Sequence, residues 1–507
     1  MQDNESESSD KSKTNSKESN LNKQEFINLL GINDFSLYQH INNNFLTILA
    51  NELTENKKST TGISHTELHQ KFNSISLDQP LLDEAKVLTE LHELYIKDAV
   101  YYHSASYLAH LNCPVMHYSV AADNLATCLN TAVETWDQSA GATFIEQSLI
   151  NWCATKIGYQ EGFDGVFTTG GTQSNLVALL LAREAKTAEL PDASIDKYVI
   201  FSSDFSHCSI KRSAFIAGLG YKSVVNVACD ADFKMQPADL IAKIEKAIKE
   251  GLIPIAVVAT AGTTDFGSID PLIEIAEICQ QHGCWFHVDA AYGGGLLISN
   301  NYFDYLTGIE AADSVALDFH KSYFQPLCCA AILLKDKTNF SYISYYADYL
   351  NPQDQEDAGV PNLANKSIQT SRRFDALKLW VSLRLHGGEA IGAMFDQAIE
   401  TAAKVYQYMQ TKDQVELLHK PTLSTIVFRF YNSSLVQAAN DKWNRHIKDQ
   451  LHGKNNIVIA ATKIKGVQHL KFTILNPATS SNSICKAVDQ MTAVASAILA
   501  VQRVCHE

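Results

Sequence analysis

Cys284-Trp285-Phe286-His287-Val288-Asp289-Ala290-Ala291-Tyr292-Gly293-Gly294-Gly295 reads as a buried strand that carries one carboxylate, Asp289, to its end and then stops at small residues. The mainly apolar run 252–261 fits a strand buried in a parallel sheet. On both sides of 284–295, short apolar runs recur with helical periods between most of them. Strands are expected near 165–169, 198–203, 223–228, 254–260, 284–289, 313–317 and 329–334, and helices near 173–186, 237–250 and 271–282. Strand–helix alternation of this kind specifies an α/β fold with a mostly parallel, seven-stranded sheet. In such sheets ligands bind beyond the carboxyl ends of the strands.

Bulk properties bound the answer. At 507 residues the chain exceeds one ordinary domain. A formal net charge of −15 argues against nucleic acid or an anionic membrane as partner. The 11 Cys include no CxxC pair and are odd in number, which suggests reduced thiols and a cytoplasmic setting. The opening residues lack an apolar run of signal-peptide type, and the longest mainly apolar stretch, 252–261, is too short to span a bilayer.

Residues 1–20 are polar and free of aromatics, and so are expected to be disordered. Residues 21–104 carry helical apolar spacing and are expected to form an arm that embraces a second subunit. A large α/β domain is expected over 105–388, with a helix over 372–386 that ends at Gly387-Gly388. A small α+β domain follows over 389–507. Residues 345–371 have no period and suit a lid or binding loop.

Candidate site residues fall at expected strand ends. Lys321 lies 32 positions after Asp289, in Asp318-Phe319-His320-Lys321-Ser322. A lysine that forms an imine with an aldehyde, together with a carboxylate that keeps a pyridine nitrogen protonated, is the requirement of pyridoxal phosphate chemistry. Burial lowers a lysine pKa and frees the amine for imine formation. Gly170-Gly171-Thr172-Gln173-Ser174-Asn175 lies between a strand and a helix. By itself it is a capped turn, but with Asp289 and Lys321 it reads as a phosphate cradle. His207, just past a strand, is placed to stack on the cofactor ring, and Thr260, at a strand end, to approach the ring oxygen. No metal site is expected.

The stretches GGTQSN, SHCSIKRSA, ATAGTTDFGSID, HVDAAYGG, DSVALDFHKS and RRFDALKLW, with LKFTILNP near the end, resemble the group II pyridoxal-phosphate-dependent amino acid decarboxylases. The resemblance implies a type I, aspartate aminotransferase-like fold, a homodimer with active sites near the subunit interface, and an amino acid as substrate. Carried over, Lys321 would be the imine lysine and Asp289 the partner of the pyridine nitrogen. His207 and Ala291 would cover the two ring faces, Thr260 would touch the ring oxygen, Gly171 and Thr172 would hold the phosphate, and His320 would complete the cofactor site. Trp136-Asp137-Gln138-Ser139 and the stretch GVPNLANKSIQT look most like the L-2,4-diaminobutyrate decarboxylases, whose product is 1,3-diaminopropane. Glutamate, aspartate and aromatic substrates, or an aldehyde synthase outcome, are the alternatives.

For a distal ammonium group, Asp137, Glu146, Asp354, Glu356 and Asp357 are the candidate acids. The loop tyrosine that many members use to protonate the substrate carbon falls at Pro361 or Asn362 here. Tyr345, Tyr346 and Tyr349 lie upstream, and His207 or a water is the other candidate donor.

Overall fold

The computed structural model describes residues 29–31, 35–55, 59–452 and 457–504; the stretch 1–20 lies outside them. The described residues fall into two compact units: those up to 57 together with 69–97, and those of 58–68 together with 98–507. The first unit holds the helices Phe35–Glu55 and Glu84–Leu91. Asp83 caps the second helix by accepting from the backbone N–H of Ala85 and Lys86. A 2.8 Å contact between His92 Nε2 and Glu52 Oε2 ties its C-terminal end to the first helix.

The second unit contains twelve strands among the described residues: β1 (Tyr107–Leu108), β2 (Asp164–Thr168), β3 (Tyr198–Ser203), β4 (Val224–Val227), β5 (Ile253–Thr260), β6 (Trp285–Asp289), β7 (Ser314–Asp318), β8 (Ala330–Leu334), β9 (Val415–Leu417), β10 (Thr425–Phe430), β11 (Val458–Ile464) and β12 (Val467–Thr473). Seven form one sheet in the order β2-β8-β7-β6-β5-β3-β4. Only β8 runs antiparallel to its neighbours, and the other pairs are parallel. The seven expected strands are all present, with ends within one or two residues. The continuous apolar run of β5 is buried beyond its first residue, because helices cover both faces of the sheet.

The glycines after β6 are needed for close packing. A Cβ on Gly294 would stand 2.6 Å from Leu317 Cδ2, and one on Gly295 would stand 2.6 Å from Ser322 Cβ. The chain therefore passes directly beneath β7 and the turn that carries Lys321. Gly295 N–H donates to Ser322 Oγ, which donates in turn to the Tyr292 carbonyl.

A second helix follows Gly387, whose φ of +73° is non-helical, and runs to Met409. The expected helix over 372–386 therefore ends where expected but begins only at Ala376. It starts late because Arg372 and Arg373 are held extended: Val133 N–H donates to the Arg372 carbonyl, and Arg373 bridges Ala132. A second sheet, β1-β11-β12-β10-β9, packs against the Ala376–Met409 pair and the helix Gln437–Gln450. The sequence pattern reveals β10, β11 and β12; β1 and β9, two and three residues long, carry no periodic signal. One apolar cluster joins the two sheets through residues such as Val288, Phe395, Phe428 and Leu470. Among the described residues no helix is long and apolar enough to cross a membrane.

Candidate active site

A cavity of about 310 Å³ opens at the carboxyl ends of β5, β6 and β7. All eight residues singled out from the sequence line it: Gly171, Thr172, His207, Thr260, Asp289, Ala291, His320 and Lys321. Thr260 and Asp289 are register partners on β5 and β6, and so end side by side. Gly171 opens the helix Gly171–Glu189, whose first N–H groups have no carbonyl one turn earlier to bond. A Cβ there would lie 3.1 Å from Ala291 Cβ and 3.1 Å from Asp318 Oδ2, so a bare backbone lets the helix start at this depth without crowding them.

Asp289 is buried and accepts two hydrogen bonds. Asn175 Nδ2 donates to its Oδ2 at 2.9 Å, and Ala291 N–H to its Oδ1 at 3.1 Å. Carboxylate oxygens hold about four lone pairs between them, so acceptor capacity remains for a group in the cavity. Thr260 N–H donates to Asp270 Oδ2 at 2.8 Å, and Met235 N–H to Asp270 Oδ1 at 2.7 Å, which fixes the end of β5. Burial pushes the Asp270 carboxyl up to about 6 in spite of both bonds.

Lys321 Nζ stands 2.8 Å from Asp318 Oδ2. Asp318 is 3% exposed, and its Oδ1 has no partner. His320 sits 3.5 Å from the same carboxylate and engages the Cys329 carbonyl through Nδ1 at 2.8 Å. Its pKa is lowered by burial, against the opposing pull of Asp318.

A lysine amine, a buried acid with spare acceptor capacity and a glycine-opened helix N-terminus around one cavity fit an aromatic aldehyde phosphate. The lysine suits the aldehyde, the acid a protonated ring nitrogen, and the helix start the phosphate. Three contributors carried no assignment from sequence: Asp318, Asn175 and His287. His287 and Asp289 stand two apart on one strand and so share a face, which was the available signal.

Other expectations place differently. Glu146 does not reach the cavity. It is 1% exposed, forms a two-pronged pair with Arg372 and accepts from Phe167 N–H, because a buried carboxylate needs that much compensation. Asp137 accepts from Thr135 Oγ1 at 2.5 Å, and Glu356 from Asn365 Nδ2 at 2.6 Å. Tyr345 and Tyr349 are largely exposed, and neither they nor Tyr346 line the cavity. Asn362 is buried and braces the loop, accepting from Trp136 N–H at 3.0 Å.

The description "Pyridoxal-dependent decarboxylase conserved domain" matches residues 72–431. The chain is 37% identical over 460 residues to an L-2,4-diaminobutyrate decarboxylase of Acinetobacter baumannii, covering 88% of this chain and 90% of that protein. A second L-2,4-diaminobutyrate decarboxylase, from Rhizobium meliloti, is also 37% identical, over 80% of this chain and 81% of its own length. Among solved structures, the glutamate decarboxylase domain of a diaminobutyrate-pyruvate transaminase and L-2,4-diaminobutyrate decarboxylase from Vibrio parahaemolyticus superposes with a TM-score of 0.82 at 32% identity, covering 90% of this chain and 95% of that one. The fold, the cavity and these likenesses agree: the chain belongs to the pyridoxal-dependent decarboxylase family, lyases that use pyridoxal 5'-phosphate to remove carbon dioxide from an amino acid.

Proposed function

We propose that the chain converts L-2,4-diaminobutyrate to 1,3-diaminopropane, with Lys321, Asp289 and His207 as catalytic residues. The observation that carries the site assignment is that Lys321 and Asp289 line one cavity with the glycine-opened helix N-terminus. When bound, pyridoxal phosphate supplies an electron sink for the pair left behind as the Cα–carboxylate bond breaks. Lys321 would anchor the cofactor through its amine, with Asp318 as the carboxylate that receives the ammonium whenever the amine is free. Asp289 would hold the proton on the ring nitrogen. Gly171 and Thr172 would hold the phosphate, Thr260 and Ala291 would position the ring, and His320 would back the lysine.

His207, which lines the cavity, would orient the substrate carboxylate, and either it or a water would return the proton to Cα. The substrate assignment is supported by the two diaminobutyrate decarboxylases at 37% identity. It is also supported by the pairing of the two stretches that resemble them: Asn362 accepts from Trp136 N–H, and Leu363 and Ala364 N–H both donate to the Glu134 carbonyl. A cytoplasmic homodimer, with residues 21–104 as a subunit-embracing arm, is the assembly this reading entails.

The test is carbon dioxide release from diaminobutyrate, glutamate, aspartate and aromatic amino acids, with product analysis for amine against aldehyde. Diaminobutyrate is expected to be preferred and to yield amine. Equal or faster release from glutamate would overturn the substrate, and an aldehyde product would overturn the reaction.

A further inference from the structure

The cavity's two most informative side chains, Asp289 and His207, are joined by a buried hydrogen-bond network in which the direction of nearly every donor is forced. Asp289 Oδ2 only accepts, so the amide nitrogen of Asn175 is what faces it, at 2.9 Å. The same nitrogen stands 2.9 Å from Ser209 Oγ. The Asn175 oxygen therefore faces His287 Nε2, 2.8 Å away, and that nitrogen carries the hydrogen. On the far side of the ring, Trp285 Nε1–H can only donate, and it does so to Ser314 Oγ at 2.8 Å. His287 Nδ1 lies 2.8 Å from that hydroxyl and 3.2 Å from the Ser314 carbonyl, so the direction at Nδ1 is open, while Nε2–H is fixed by the Asn175 oxygen. Complete burial of the ring opposes any charge on it.

The second branch resolves in the same way. Ser209 Oγ accepts from Asn175, so its hydrogen goes to His207 Nδ1 at 2.8 Å, and the Ser209 backbone N–H points at the same nitrogen at 3.3 Å. With Nδ1 accepting, the hydrogen of a neutral His207 sits on Nε2. Both Asn175 and Ser209 are at most 1% exposed, so water does not compete for these bonds.

We propose that Asn175 is a positioning residue that orients both Asp289 and His207. One amide hydrogen is donated to Asp289 Oδ2, the other sets the hydrogen-bond direction at His207 through Ser209, and His287 keeps the amide from flipping. A flipped amide would set its oxygen against Asp289 Oδ2, two acceptors in a buried site. This assignment rests on the reading that Asp289 faces the ring nitrogen, and the experiment separates the two.

The affinity of the cofactor-free chain is measured for pyridoxal phosphate and for its analogue with C–H in place of the ring nitrogen. Asn175→Ala is expected to weaken pyridoxal phosphate binding about 10- to 100-fold and the analogue less than about threefold. His287→Phe, which removes the donor to the amide oxygen, is expected to reproduce that pattern. His287→Gln, whose amide can replace Nε2–H, is expected to restore most of the affinity, and it keeps the test alive if Asn175→Ala does not fold. Ser209→Ala cuts only the His207 branch. It is expected to leave cofactor affinity within about threefold and to lower turnover about tenfold.

Equal loss for both compounds, or none for either, would overturn the role of Asn175. A Ser209→Ala loss of affinity as large as that of Asn175→Ala would overturn the two-branch assignment. Wild-type affinity that is the same for both compounds would instead overturn the placement of Asp289 against the ring nitrogen, and the proposal with it.

Discussion

At the scale of single residues, the chemistry is set by which groups are allowed to carry charge. His287 is the clearest case. Burial pushes it down to about 4, with the charge on Asp289 working against that shift. The unfolded chain, at its ordinary 6.5, binds more protons than the folded chain between those values, so stability present above pH 6.5 is lost as pH falls toward 4. The effect is at most about 3 kcal/mol for a shift of this size. Thermal unfolding of wild type and His287→Gln across this range checks it. The midpoint of the variant is expected to rise relative to wild type as the buffer is acidified, because glutamine has nothing to protonate.

Lys321 sets the other limit at this scale. Lys321→Ala should abolish turnover and the yellow absorbance of the bound cofactor, and a normal spectrum in that variant would exclude the assignment. Both residues were legible to different degrees. Lys321 and Asp289 stand out because a charged side chain inside an apolar stretch needs an explanation. His287 and Asn175 do not stand out: their hydrogen-bond partners are 112 positions apart, a pairing that only the folded sheet creates.

At the scale of elements, the site is a set of strand ends whose places are fixed by buried polar braces. The helix Gly141–Ile157, β2 and the extended Arg372 segment meet in one such brace. Glu146 accepts from Arg372 Nη1 and Nη2, and from Phe167 N–H, while Arg372 also donates to the Phe167 carbonyl. Removing the acid leaves a buried guanidinium without a counter-charge, which typically costs 3–5 kcal/mol. Glu146→Ala is therefore expected to lower the unfolding midpoint strongly. Glu146→Ala with Arg372→Met, which removes both charges, should recover much of the loss. Urea unfolding of the two variants decides this, and a double variant less stable than the single would refute the account.

The same brace explains a failure of the sequence reading. Arg372 to His386 has helical spacing, yet Arg372 and Arg373 are held extended by tertiary contacts that override local propensity. The glycine pair, read as a terminator, does end the helix: Gly387 leaves helical geometry at φ +73°, and a second helix with its own buried face follows.

At the scale of the molecule, the long second unit must hold one short stretch, 103–116, against both sheets at once. At one end, Asn476 Nδ2 donates to the His103 carbonyl and Thr479 Oγ1 to the Ala105 carbonyl. β1 then pairs in parallel with β11 at Tyr107–Val458 and Leu108–Ile459. At the other end, Leu111 lines the cavity, Cys113 Sγ donates to the His320 carbonyl and Met116 N–H to the Phe324 carbonyl. The C-terminal sheet therefore reaches the lysine turn through a tether of some ten residues. This gives the Leu-Asn-Pro stretch, legible only as a resemblance, a physical task.

Asn476→Ala with Thr479→Ala removes both anchors at the sheet end without touching the cavity wall. Each lost bond weakens the hold by roughly 1 kcal/mol. Because Leu111 is displaced and Lys321, Asp289 and His207 are not, KM should rise several-fold while kcat changes less than about twofold. Steady-state kinetics of the double variant separate the outcomes. A fall in kcat with KM unchanged would mean that the tether acts on the lysine turn through Cys113 rather than on substrate access through Leu111.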